Sequence, residues 1–131
     1  MVCLDTSLII DFLKDNEVAI STVERLDGSD EDVTMASPTI IELVRGLNSK
    51  NIREEEKEKI KEFINSFFVL NLDKQSAFLA GEIESELIKK GELIELEDIM
   101  IAAIAITNNE KLMTRNEKHF SRIKNLDFET Y

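Results

Sequence analysis

Cysteine, histidine and proline each occur once in the 131 residues, tryptophan is absent, and glycine occurs four times. A lone Cys3 excludes an internal disulfide, a thiolate zinc site and a thioredoxin-like pair. A lone His119 excludes a histidine-clustered metal site and argues against a Ser-His-Asp triad. With so little glycine and proline the chain has no linker or low-complexity segment. Basic residues are the scarcer charge, 16 against 27 acidic, giving a net charge of -11. That is the reverse of a surface that grips nucleic acid by phosphate contacts alone, so a polyanionic ligand needs a cation as intermediary. Long hydrophobic runs are missing as well. The longest uncharged stretch, residues 99–109, is too short to span a bilayer. The first residues lack a basic n-region, and Asp5 and Asp11 interrupt their apolar stretch, unlike a signal peptide. The expectation is one soluble domain over 1–131, cytoplasmic and without membrane contact.

What the chain does contain is an alternation of short strand-like and longer helix-like segments. Strands are expected at 2–4 (VCL), 33–36 (VTMA), 69–72 (VLNL) and 111–114 (KLMT), with DFET adding a short fifth. Between them fall helices: TSLIIDFLKD, then 16–25 with Val18, Ile20 and Val23 inward, then SPTIIELVRGL with Ser37 as N-cap and Pro38 in its first turn. REEEKEKIKEFINSFF follows, with Ile60, Phe63, Ile64, Phe67 and Phe68 on one face. Asp73 caps a helix that buries Ala80, Ile83, Leu87 and Ile88 and stops at Gly91. DIMIAAIAI is apolar on every side and therefore central, and EKHFSRI forms a last short helix. The pattern predicts an α/β fold: three layers, α/β/α, around a parallel sheet of four or five short strands.

In such a sheet, ligands bind beyond the carboxyl ends of the strands. Asp5 follows the first strand, and Glu42 lies early in the helix after the second. Asp98 opens the buried helix, and Thr114 and Asn116 close or follow KLMT. Topology thus gathers three carboxylates at one edge. Singly, Asp5 and Asp98 fit helix-start carboxylates, Asn116 fits a cap, and Glu42, opposite the stripe of Ile40, Val44 and Leu47, fits a solvated side chain. Together they repel one another and raise each other's pKa unless a cation sits among them. A hard ion of the Mg2+ or Mn2+ type suits oxygen ligands of this kind. Thr6, Ser7 and Thr114 could hold the carboxylates by hydrogen bonds, or equally make local turn bonds. Arg45 and Arg115 could contact a phosphate oxygen, or form surface ion pairs.

VCLDTSLIIDFL, ASPTIIELVRGL, ELEDIMIAAIAI and LMTRNEKHFSRI, in this order and spacing, resemble the PIN-domain family and, within it, the VapC-type toxins. The resemblance spans nearly the whole chain. It implies a magnesium- or manganese-dependent endoribonuclease, the toxin of a toxin–antitoxin pair, acting on RNA and held by a small antitoxin, usually as a homodimer. By position, Asp5 and Asp98 match the family's two main metal-binding aspartates, and Glu42 matches the glutamate after the second strand. Asn116 matches a fourth position that is often aspartate. Being neutral, it weakens a second metal site and leaves Glu117 or a water as the substitute, so one firmly bound ion is expected. His119 with Phe120 fits the family pattern, with a structural or substrate-edge role. Two other readings stand beside this one: a PIN-like scaffold with incomplete acids, and a phosphate-accepting signalling domain. The second of these wants an acidic pair at Asp5 and a lysine after a late strand, where Leu4 and Arg115 stand.

Overall fold

The computed structural model describes residues 1–48 and 51–131. The elements in order are β1 (Val2–Leu4), α1 (Thr6–Leu13), α2 (Glu17–Asp27), β2 (Val33–Ala36), α3 (Ser37–Leu47), α4 (Glu54–Asn65), β3 (Phe68–Leu70), α5 (Lys74–Lys90), α6 (Leu96–Thr107), β4 (Lys111–Thr114), α7 (Glu117–Phe120) and β5 (Phe128–Thr130). The strands form one sheet in the order β3-β2-β1-β4-β5, and every pairing is parallel. In the central strand, Leu4 stands beside Met35 on one side and Met113 on the other. The chain leaves β1 toward β2 and returns on its other side at β4, so a crevice opens beyond the ends of β1 and β4.

Strand side chains alternate between two cores, as a period of two requires. Val2, Leu4, Met35 and Met113 pack with Leu8, Ile9, Ala19, Leu26 and Leu43 from α1, α2 and α3. Cys3, Ala36 and Leu112 point the other way, into a core built by α5, α6 and Phe120. Helices therefore cover both faces, and the strands must be apolar on both sides. Residues 101–105 of α6 are all buried, which explains why that helix has no polar face. No described helix is long and apolar enough to cross a membrane.

Several helical faces differ from the sequence expectation. On α2 the buried positions are Ala19, Thr22 and Leu26, while Val18 is 56% exposed. On α5, Ser76 joins Ala80 and Leu87 inside, and Ile88 turns to solvent at 58% exposure. In both cases a small residue holds a buried position while the β-branched one is rotated out to solvent. β3 begins one residue early, with Phe68 exposed. Ser37 is inside α3 rather than its cap, because the helix starts directly off β2; its hydroxyl accepts the Leu72 N–H at 3.2 Å. The Asp73 cap forms as expected, with the Asp73 side chain accepting from Ser76 N–H at 2.8 Å and Gly91 taking the left-handed conformation at φ 68°.

Candidate active site

Asp5 continues the β1 ladder by one bond, its N–H donating to the Met113 carbonyl at 2.9 Å, and the chain then turns into α1. Its carbonyl accepts from Leu8 and Ile9, so the backbone caps the helix while the carboxylate makes no capping bond. That frees the side chain for other work. Oδ2 accepts from the Thr114 hydroxyl at 2.7 Å and from Ser7 at 2.8 Å. Oδ1 is buried and has no partner, in a residue only 3% exposed. Burial pushes the Asp5 pKa up, and the hydrogen bonds from Thr114 and Ser7 pull it back.

The other two acids reach the same cleft from different helices. Glu42, on α3, accepts from the Thr6 hydroxyl at 2.8 Å, and Thr6 lies 3.0 Å from the Thr39 hydroxyl. Rotation of α3 about its axis places Leu43 and Leu47 inward and leaves Val44 exposed. Glu42 is therefore half-buried at the cleft rather than solvated opposite the core. Burial raises its pKa, Thr6 opposes this, and the charges of Asp5 and Asp98 raise it further. Asp98 sits in the first turn of α6 with Oδ2 3.0 Å from His119 Nδ1. Its pKa is raised by burial, lowered by the His119 contact, and raised again by Asp5.

The three acids thus feel one another across a cleft of about 310 Å³. Its wall carries five carboxylates (Asp5, Glu42, Glu95, Glu97, Asp98) against Arg45 and Arg115, so its potential attracts cations. Among the described residues no three His, Cys, Asp or Glu side chains stand as a finished metal cage. Glu42 and Asp98 each have an oxygen engaged by Thr6 or His119, whereas the buried Oδ1 of Asp5 has no hydrogen-bond partner.

The supporting residues fall into place around these acids. Thr114 is fully buried at the end of β4, and besides holding Asp5 it accepts the Asn116 N–H at 2.9 Å. Ser7 accepts the Arg115 N–H at 3.2 Å. Asn116 precedes α7 without a side-chain capping bond; its amide nitrogen lies 2.8 Å from His119 Nδ1. One ring nitrogen serves only one of its neighbours at a time, donating to Asp98 when protonated or accepting from Asn116 when not. Glu117 is exposed at the start of α7. Arg45 pairs with Glu97 at 3.2 Å, and Arg115 with Asp11 at 2.7 Å. Cys3 is inert as a nucleophile, its thiol pushed up to about 12 by burial and by the charge of Glu110.

Sequence reasoning passed over Thr39, Glu95, Glu97, Asp11 and Tyr131. For Thr39 a signal is available: it precedes Glu42 by three residues, which puts the two on one face of the same helix.

A family model described as PIN domain matches residues 2–126. The chain belongs to the PIN-domain family. Among curated PIN-domain relatives, Ribonuclease VapC2 of Rickettsia felis is 27% identical over 98% of this chain and 96% of its own length. The tRNA(fMet)-specific endonuclease VapC of Salmonella typhimurium is 30% identical over the same shares. The crystal structure of VapBC2 from Rickettsia felis, bound to a DNA fragment from its promoter, superposes with a TM-score of 0.90 at 28% identity, covering 100% of this chain and 99% of that one. The parallel three-layer architecture expected from the sequence is the one this PIN domain adopts.

Proposed function

We infer that this PIN domain is an endoribonuclease dependent on Mg2+ or Mn2+ and the toxin of a toxin–antitoxin pair. One observation carries the reading: Asp5, whose buried Oδ1 has no hydrogen-bond partner, lines a cleft together with Glu42 and Asp98, whose pKa values its charge raises. That donor set, all oxygen and all acidic, suits a hard divalent cation. Asp5, Asp98 and Glu42 would hold it. When bound, such an ion lowers the pKa of its water and neutralises charge on the scissile phosphate.

The chain's own residues then divide the work. Thr114 and Ser7 fix Asp5 Oδ2 and so set the direction of Oδ1. His119 fixes Asp98 through Oδ2. Thr6 holds Glu42 by Oε1, leaving Oε2 to accept a proton from the attacking water. In-line attack on phosphorus would break the P–O3′ bond, and the departing 3′-oxygen would take a proton from solvent, leaving a 5′-phosphate and a 3′-hydroxyl. Asn116 supplies no charge at the fourth position, so a single firmly held ion is the working stoichiometry.

The relatives named as VapC ribonucleases, and the VapBC complex that the fold matches, support an RNA substrate and a small antitoxin partner. It would act in the cytoplasm and as a homodimer. The neutral Asn116 favours a second reading, a PIN-like scaffold that binds without cleaving. Cleavage of a broad panel of structured RNAs in magnesium, comparing wild type with Asp5→Asn, separates the two. Cleavage by wild type alone is expected. Equal cleavage by both proteins indicates a contaminant, and none by either supports the scaffold.

A further inference from the structure

The two arginines of the cleft are held in different ways. Arg45 donates through Nη1 and Nη2 to one oxygen of Glu97, at 3.3 and 3.2 Å, and Glu97 itself lines the cleft. Arg115 donates only through Nη1, at 2.7 Å, to Oδ2 of Asp11, a buried residue that forms no part of the cleft wall. The same Oδ2 accepts the Tyr131 hydroxyl at 2.6 Å. Burial and the Asp11 carboxylate hold the Tyr131 phenol far above its ordinary pKa, so it stays a donor. At its other end, the Arg115 N–H donates to Ser7, the residue that also holds Asp5.

Arg115 is thus anchored at backbone and tip, yet its side chain is 63% exposed and lines the cleft. With Nη1 committed to Asp11, the Nε and Nη2 edge remains whole, and that edge is the fork that grips a phosphate in bidentate fashion. An arginine fixed from behind by a buried carboxylate loses little freedom on meeting a ligand. Arg45 lacks this: its partner competes within the cleft itself.

We propose that Arg115 is the phosphate-gripping cation of the cleft and that Asp11 and Tyr131 are positioning residues that aim it. The ligand group is a non-bridging phosphodiester oxygen of RNA beside the cleaved bond, so the proposal rests on the ribonuclease reading above. Tyr131 follows β5 directly, and the edge strand thereby acquires a part in substrate binding.

Steady-state cleavage of a structured RNA in magnesium tests this with wild type, Arg115→Ala, Asp11→Asn, Tyr131→Phe and the double variant Arg115→Ala with Asp11→Asn. Arg115→Ala is expected to raise KM roughly tenfold or more, the value of a charge-assisted hydrogen bond, with kcat little changed. Asp11→Asn and Tyr131→Phe raise KM roughly threefold to tenfold, and Asp11→Asn adds nothing once Arg115 is gone. All variants are expected to show the same rise in melting temperature with manganese as wild type. Tyr131→Phe removes one hydroxyl and keeps the test readable if Asp11→Asn folds poorly. Unchanged KM in Asp11→Asn and Tyr131→Phe, or an equal effect of Asp11→Asn with and without Arg115, overturns the proposal while the ribonuclease reading stands. A wild type that cleaves nothing overturns the ribonuclease reading and this one with it.

Discussion

Two ends of the same sheet each bury a carboxylate with one unpartnered oxygen. Asp5, at the carboxyl end of β1, has Oδ1 without a partner, and Glu110, just before β4, has Oε2 without one. Both are 3% exposed, and both accept a short bond from a buried threonine, Thr114 at 2.7 Å and Thr34 at 2.6 Å. Burial raises both pKa values. The local chemistry is nearly the same; the company differs. Asp5 opens into a cleft with Glu42 and Asp98, whereas the charges around Glu110 are Asp32 and the Met1 amino group, which oppose each other. A stranded buried carboxylate is therefore no site in itself. What makes one is convergence at the edge where helices begin.

The largest expected contrast is between Asp5→Asn and Glu110→Gln. The first removes a ligand's charge and should lower RNA cleavage by about 100-fold or more, at or beyond the roughly 10- to 100-fold that loss of a ligand's supporting group costs, and abolish stabilisation by manganese in a thermal melt. The second should leave both intact. Loss of the manganese response in Glu110→Gln would erase the distinction between the two ends.

Smaller effects come from the hydroxyls. Thr114→Val and Ser7→Ala should each lower cleavage roughly tenfold, within the range for groups that orient a metal ligand. Thr34→Val, the corresponding change at the other end, should leave cleavage rates unaltered. Below these comes Asp98→Asn in the metal-free protein. Relief of repulsion with Asp5 and Glu42 should raise its melting temperature by roughly 3 °C, on the scale of 1 kcal/mol for a domain of this size, while manganese ceases to help. An unchanged melt would show that the three acids do not share a site.

The smallest effect is in the pH dependence of stability at Glu110. Its folded-state pKa lies above the unfolded value because of burial, so the folded protein binds that proton more tightly. Its contribution is complete below the ordinary glutamate range and declines as pH rises from there through the folded value. Glu110→Gln should flatten that part of the stability curve, measured as urea midpoints at a series of pH values. An unchanged slope would mean that Glu110 keeps its charge at no penalty.

Much of this was legible in the residues. VTMA and KLMT were read to the residue as β2 and β4, because Ser37-Pro38 and Arg115-Asn116 end them sharply. The gathering of Asp5, Glu42 and Asp98 followed from parallel topology alone, and the cleft contains all three. Helix faces were read less well. β-Branched residues such as Val18 and Ile88 suggest burial, but the buried positions are held by Ala19 and by Ser76, which is tied into the Asp73 cap. The same bias hid the half-buried setting of Glu42. The Asp11, Arg115 and Tyr131 cluster had no local signature, since its members lie 104 and 120 residues apart and meet only when β4 and β5 dock.

The hydrogen bond from the Asp5 N–H to Met113 also sets a timetable. A ribosome delivers Asp5, Glu42 and Asp98 well before β4, the strand that supplies the Met113 carbonyl and the Thr114 hydroxyl. A polypeptide released before residue 111 owns every acidic group of the cleft and keeps only Ser7 of the three contacts that orient Asp5. Truncated translation products of this gene should therefore be harmless to the cell that makes them.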